Sequence, residues 1–290
     1  MKKMSLSRKI LMYILLTMIA LVFMFPLIWM LVSSFKDDAG IFSDITGLKA
    51  FLPSFKAEVF FNYQEVLGRI PLVKAMLNSL SYIVVVIVLG LIVNSMAGYA
   101  FARLDFPHKN LIFSMLLAVM VIPAQTVMLP QFSIIYKMGL SNSYLALILP
   151  AIASPMYIFL FRQNFLGIPE SIEEAAKLDG ASALRIFFQR IMPLAKPIYA
   201  TVTILVFIAL WNDFVWPVMV ISDTGKQTIQ MALSSLFSIS PVNYGNVMAG
   251  LTIVTIPVLI IFLSLQKYYV AGVASTGQRT NCIKQICRTL

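Results

Sequence analysis

Six long apolar stretches separated by polar segments set the rhythm of this chain, at roughly 10–34, 79–101, 111–136, 143–163, 196–221 and 246–269. A bilayer core about 30 Å thick takes about 20 apolar residues per helix, so each stretch predicts one transmembrane helix. The expected fold class is therefore an all-α integral membrane protein with six transmembrane helices. The first stretch runs on through Phe23, Phe25 and Trp29. It is too long and too bulky for a cleaved signal peptide, which has a short apolar core and small residues at its cleavage site.

The polar segments between the spans differ in kind. Residues 36–77 form a long loop with Gly, Pro and balanced charge, in which Phe60–Val66 is the most structured-looking part. Short connections follow at Arg103–Lys109 and near Gly139–Asn142, the first containing His108, the one histidine, read as a solvated loop residue. Between Gln163 and Pro197 the chain leaves the apolar regime for about thirty residues and places nine charged side chains between Arg162 and Lys196.

Composition sharpens this picture. Of 290 residues, 60% are hydrophobic and 12% charged, against roughly 25% charged in a soluble domain. The missing charge implies a surface that faces hydrocarbon. The net charge of +10 is spread over loops and forms no aromatic-interleaved patch of the kind that binds nucleic acid. With the N-terminus inside, fifteen Lys and Arg lie on inner segments and seven on outer ones, which places both termini in the cytoplasm. The domain reading is a cytoplasmic N-terminus (1–9), a six-helix membrane domain (10–272) with its outer loop at 36–77 and cytoplasmic loop at 165–197, and a cytoplasmic tail (273–290). Cys282 and Cys287 fall in that tail, and a lone pair with this spacing carries no zinc or disulfide signal.

The cytoplasmic loop has its own local logic. After Pro169, Ser171-Ile-Glu-Glu174 reads as a capping box, in which the Ser hydroxyl and the Glu carboxylate satisfy the first helical amides. Ile172, Ala175, Ala176 and Leu178 alternate with Glu173, Glu174 and Lys177, predicting a short amphipathic helix. Asp179-Gly180 ends it, since glycine accepts the left-handed conformation just past a helix. A second helix is expected from Ser182 to about Ile191, giving a helix–turn–helix against the membrane.

The run Glu174-Ala175-Ala176-Lys177-Leu178-Asp179-Gly180-Ala181, continued by Ile191-Met192-Pro193-Leu194 and Pro197, resembles the EAA loop of ABC importer permeases. Further stretches resemble the carbohydrate-uptake branch of that family, in particular the type similar to the smaller permease of the maltose importer. They are Asn78-Ser79-Leu80, Ala97-Gly98-Tyr99-Ala100-Phe101-Ala102-Arg103, Pro123-Ala124-Gln125, Pro130, and Trp211-Asn212-Asp213-Phe214-Val215-Trp216-Pro217. The resemblance implies that Glu174, Ala175, Ala176, Asp179, Gly180 and Ala181 belong to a coupling helix that docks on a cytoplasmic ATPase. It also implies a second, related permease as heterodimer partner, two ATPase subunits, an extracytoplasmic solute-binding protein and a sugar-like solute, in the inner (cytoplasmic) cell membrane and with no cofactor or metal. Family members end soon after the segment matching Tyr268–Gly272, whereas this chain continues to Leu290.

Polar residues inside spans are costly and tend to face partners or a water-filled path. Asn94, Gln125, Gln131, Asn212 and Asp213 are therefore the candidates for a translocation path, with an interhelical hydrogen bond as the other reading of Asn94. The chain lacks the Gly-x-x-x-x-Gly-Lys-Ser/Thr phosphate loop, so any ATP hydrolysis belongs to a partner. An ion-coupled secondary transporter is the alternative, although Asp213 is the one acid within a predicted span. A membrane enzyme would need a His, Cys or paired-acid constellation at membrane depth, and the sequence offers none.

Overall fold

Proline punctuates the helices of this protein at the positions where its missing N–H matters. The computed structural model describes residues 6–43, 52 and 60–286. Among them every regular element is helical: α1 (Leu6–Ser33), α2 (Asp38–Ser43), α3 (Phe61–Arg69), α4 (Leu72–Arg103), α5 (Lys109–Val119), α6 (Ala124–Lys137), α7 (Tyr144–Ala151) and α8 (Pro155–Leu166). These are followed by α9 (Ser171–Leu178), α10 (Ala183–Ile186), a wider π-type turn (Phe187–Ile191), α11 (Met192–Leu194), α12 (Lys196–Trp211), α13 (Val215–Val220), α14 (Ile229–Ser235) and α15 (Tyr244–Ile286).

Three helices are long and apolar enough to cross a membrane unaided: Ser7–Ser33, α4 and the Tyr244–Gln266 part of α15. Three more candidates are bent pairs, α5 with α6 at 101°, α7 with α8 at 41°, and Ala183–Leu194 with α12 at 80°. The expected single helix over 111–136 is thus two helices. A proline cannot donate to the carbonyl four residues back, and its ring crowds that carbonyl. The carbonyl opposite Pro123 belongs to Val119, the last residue of α5, and the one opposite Pro155 belongs to Ala151, the last residue of α7. The stretch expected over 196–221 breaks after Trp211 in the same way, since Asp213 lies four residues before Pro217. The second span begins at Leu72 rather than 79, directly after Pro71, because Lys74 and Asn78 interrupt the apolar pattern but not the helix.

One compact unit comprises Met1–Lys74 with Met231–Ile256. Its core holds Val66, Ile70, Leu72, Ala232, Leu236 and Ala249, all buried. Asn62 on α3 ties the end of α1 in place by donating to the carbonyls of Ser34 and Lys36 at 2.9 and 2.8 Å. Gly245 is required beside it, since a Cβ there would lie 2.6 Å from the Lys36 carbonyl and 2.7 Å from the Asn62 amide. The expected structure around Phe60–Val66 is α3. None of the apolar window of α1 is buried. A helix apolar on all sides needs hydrocarbon or another chain around it.

The second unit comprises Ala75–Gln230 with Pro257–Leu290. Here α4 and α8 approach closely at Gly98, where a Cβ would meet the Phe161 Cβ at 2.6 Å and the Ile158 carbonyl at 3.1 Å. Arg162 on α8 donates to the Phe101 carbonyl at 3.2 Å and lies over the Phe113 ring at 4.2 Å. Phe161, Phe165 and Phe187 are fully buried and join Tyr99 and Tyr199 in one aromatic core. Within the tail, α15 carries the backbone through Cys282 to Ile286, and Cys287 lies outside the described residues.

Candidate functional site

The cytoplasmic loop places a short helix on a charged anchor. Helix α9 begins on Glu170, whose carbonyl accepts from the amides of Glu173 and Glu174 at 2.9 and 3.0 Å. The expected capping box does not form, and no side-chain cap is present. The turn starts earlier, at Pro169-Glu170, so Ser171 already sits inside the helix and its hydroxyl is not at the cap. Past the other end, Gly180 has φ of +75°. Its N–H donates to the Lys177 carbonyl at 2.9 Å, and that of Ala181 donates to the Ala176 carbonyl at 3.0 Å, which satisfies two of the last free carbonyls. The following helix starts where expected, with the Ser182 hydroxyl accepting from the Arg185 amide at 3.4 Å. It widens at Phe187–Ile191, because Pro193 cannot donate to Gln189.

Burial divides α9 into two faces. Glu173 and Ala176 are buried, while Glu174, Ala175, Lys177, Asp179 and Gly180 are exposed and Leu178 is 90% exposed. The inward acid is therefore Glu173, to which the alternating pattern had given a solvent-facing place. Its carboxylate pairs with Arg103 Nε at 2.9 Å and accepts from the Tyr99 hydroxyl at 3.2 Å. The Arg103 side chain is 5% exposed. It also donates to Glu170 at 2.9 Å, to the Phe165 carbonyl at 2.8 Å and to the Ile168 carbonyl. One guanidinium thus holds both ends of the Phe165–Glu173 connection to the last residue of α4. Tyr99 and Arg103, one helical turn apart, and the spacing of Glu173 to Ala176 were the signals available in the sequence.

The path candidates separate in space. Asn94 is buried; its amide donates to the carbonyls of Gly90 and Ile152 at 2.6 and 2.8 Å, and its oxygen accepts from the Ser154 amide at 2.8 Å. It has the interhelical role and closes the break before Pro155. Gln125 is exposed on α6, and Asn212 is exposed with its amide donating to the Ile208 carbonyl of its own helix at 2.8 Å. Gln131 and Asp213 do come together, lining one cavity of about 210 Å³ with Tyr82, Trp216 and apolar residues of α6 and α7. Asp213 accepts weakly from the Trp216 amide at 3.4 Å, and the Trp216 indole donates to the Ala146 carbonyl at 3.1 Å. A second cavity of about 580 Å³ shares the wall formed by Ala124, Val127, Pro150, Ala151 and Leu210. It reaches the α5–α6 and α7–α8 breaks through Met120 and Ser154.

Residues 94–275 match the family described as the binding-protein-dependent transport system inner membrane component. The chain belongs to this permease family. The permease is 35% identical over 261 residues to the arabinooligosaccharides transport system permease protein AraQ of Bacillus subtilis, covering 90% of this chain and 92% of that one. It is 31% identical over 260 residues to the lactose transport system permease protein LacG of Rhizobium radiobacter, covering 90% and 93%. Its structure is similar to that of a bacterial ABC transporter involved in import of the acidic polysaccharide alginate, with a TM-score of 0.78 and 26% identity, covering 93% of this chain and all of the other.

The protein is thus an inner-membrane permease subunit of an ABC importer, with the all-α fold of that family. It is a transport subunit and not an enzyme. Membership implies ATPase and solute-binding partners and removes the ion-coupled alternative. The geometry suits that work: an exposed helix tip on a buried anchor, and largely apolar cavities beside broken helices, the smaller of which carries Gln131 and Asp213.

Proposed function

We infer that this permease forms half of the translocation path for a sugar or sugar-like solute and takes its driving force from ATPases through α9. The observation that carries the reading is the division of α9: Glu174, Ala175, Leu178 and Gly180 are exposed, while Glu173 is fixed beneath them. An exposed leucine, with Ala175 one turn before it and Gly180 two residues after it, suits insertion into a cleft, and the Glu174 carboxylate offers charge-assisted hydrogen bonds. A second, related permease completes the pore as a heterodimer, with two ATPase subunits below and a solute-binding protein on the far side. Reading the α5–α6 pair, the α7–α8 pair and α12 as one span each gives six with α1, α4 and α15, with both termini cytoplasmic, residues 10–272 as the membrane domain and 165–197 as the coupling loop.

The sugar reading is supported by the arabinooligosaccharide and lactose permeases among the relatives and by the lining of the smaller cavity. Gln131 and Asp213 supply hydrogen-bonding groups for hydroxyls, and Trp216 and Tyr82 supply aromatic surface. ATP binding closes the ATPases, displaces α9 and opens the path toward the loaded binding protein; hydrolysis resets it. The test is co-purification of the tagged chain from its native membrane in mild detergent, with mass spectrometry of what stays bound. Recovery of an ATPase, a second permease and a solute-binding protein is expected. Recovery of this chain alone, with ATP-independent uptake after reconstitution, would overturn the reading.

A further inference from the structure

Helix α4 makes two grips, and they lie at different levels. At its last turn Tyr99 and Arg103 hold Glu173 on α9, through the 3.2 Å hydroxyl contact and the 2.9 Å ion pair. Nine residues earlier, Asn94 holds both sides of the α7–α8 break, at the Ile152 carbonyl and the Ser154 amide. At 1.5 Å per residue the grips are roughly 13 Å apart along one unbroken helix. Ser154 lines the larger cavity, and the neighbouring Ala151 lines both.

Each grip is directional in a way that apolar packing is not. The Arg103 fork donates to Glu170 and two carbonyls while its Nε is ion-paired with Glu173, so α9 cannot shift far without dragging the end of α4 or breaking these contacts. Close packing at Gly98 against α8 stops α4 from absorbing such a shift by sliding. At the other grip, the Asn94 amide bridges the Ile152 carbonyl and the Ser154 N–H at the break before Pro155, where the half-helices have fewest bonds of their own. A displacement of α4 therefore arrives at the most compliant point of the cavity wall.

We propose that α4 is the rod that carries movement of α9 to the cavity, with Arg103 as the positioning residue at its loaded end and Asn94 at its output. This rests on the coupling reading above and adds the route within the chain. Spatial continuity alone does not establish coupling, so the test must separate transmission from docking.

The full transporter would be assembled in lipid nanodiscs, with Cys282 and Cys287 replaced by serine and a single reporter placed by Val127→Cys in the shared cavity wall. The readout is the rate of labelling by a membrane-impermeant maleimide, with and without ATP plus vanadate. In this background nucleotide changes the labelling rate several-fold. Arg103→Lys keeps the charge but loses the fork; with it, ATPase subunits still co-purify and hydrolyse ATP within about twofold of the parent, yet the nucleotide-driven change is lost. Tyr99→Phe, which removes one hydroxyl, halves the change or more and serves if the Arg103→Lys chain itself is not recovered folded from the membrane. Combining Arg103→Lys with Asn94→Ala gives no greater loss than the larger single effect, as expected for two points on one route.

A full nucleotide-driven change in Arg103→Lys or Tyr99→Phe overturns the proposal. So does loss of ATPase association in Arg103→Lys, which would make the residue a shaper of the docking surface. Leu178→Asp distinguishes failure of the parent reading: if it leaves ATPase association and the labelling change intact, docking through α9 is wrong whatever Arg103 does.

Discussion

The side-chain oxygen of Asn94 accepts the backbone N–H of Ser154 at 2.8 Å, across 60 residues of sequence. With the matching bond from its amide to the Ile152 carbonyl at 2.8 Å, one side chain on α4 satisfies both edges of a helix break. Asn94→Ala leaves buried backbone groups without partners, each omission costing about 1–3 kcal/mol. The expected result is a clear fall in the thermal unfolding midpoint of the purified protein in detergent. Asn94→Asp, which keeps the acceptor and loses the donor, is expected to lie between Ala and the parent.

Gly98 and Gly68 make a paired test of close packing. A Cβ at Gly98 would fall 2.6 Å from the Phe161 Cβ and 3.0 Å from the Arg162 nitrogen, while one at Gly68 meets nothing within 4 Å. Gly98→Ala forces α4 and α8 apart, an overpacking cost of about 1–3 kcal/mol. Gly68→Ala, inside α3, gains about 0.5–1 kcal/mol from helix propensity. Denaturation of the two variants side by side should give shifts of opposite sign.

The two acids on Arg103 differ in worth because they differ in exposure. Glu170 is 78% exposed and Glu173 5% exposed at the side chain. Glu170→Gln is expected to cost at most about 1 kcal/mol, as for a screened surface pair. Glu173→Gln leaves the buried guanidinium short of its partner and costs about 3 kcal/mol or more. Thermal unfolding of both variants checks the ranking, and equal shifts would contradict it.

Leu178 touches solvent over 90% of its surface, so Leu178→Asp removes little packing within this chain. Stability of the isolated chain is expected to stay within about 0.5 kcal/mol of the parent. Recovery of ATPase subunits in a pull-down is expected to drop at least tenfold, since a buried carboxylate without a partner opposes docking.

Gly180 is held at φ +75° with open space around it. Gly180→Ala therefore incurs about 1–2 kcal/mol of left-handed strain and no steric clash, whereas Gly180→Asn tolerates that conformation better. Measuring ATP hydrolysis per solute moved in reconstituted vesicles should show stronger uncoupling for Ala than for Asn.

Much of the architecture was legible because apolar runs and proline spacing are local signals. The first and last apolar stretches appear as α1 and the start of α15, and Gly180 ends α9 where its place after Asp179 predicts. The breaks were less legible. Pro123, Pro155 and Pro217 coincide with interruptions, yet Pro26, Pro130, Pro150 and Pro257 lie inside helices, so proline alone does not decide. The inward turn of Glu173 was not decided by its own neighbourhood, where only the spacing to Ala176 pointed inward. It depends on Tyr99 and Arg103, some seventy residues away, which recast a charged position as a buried one. Gln131 and Asp213 share a cavity through the same kind of distant contact, and single-residue polarity cannot distinguish them from Asn212.

Helix α1 has a different relation to its sequence from every other span. With no apolar side chain of its membrane-length window buried against the rest of the described chain, it imposes no jigsaw on its own fold. Scrambling the order of the leucines, isoleucines and methionines within that window would disturb no buried position among the described residues. A leucine, isoleucine or methionine of that window that proved intolerant of such a scramble would therefore report a neighbour beyond the described residues, and a scan of its faces would draw that neighbour's outline.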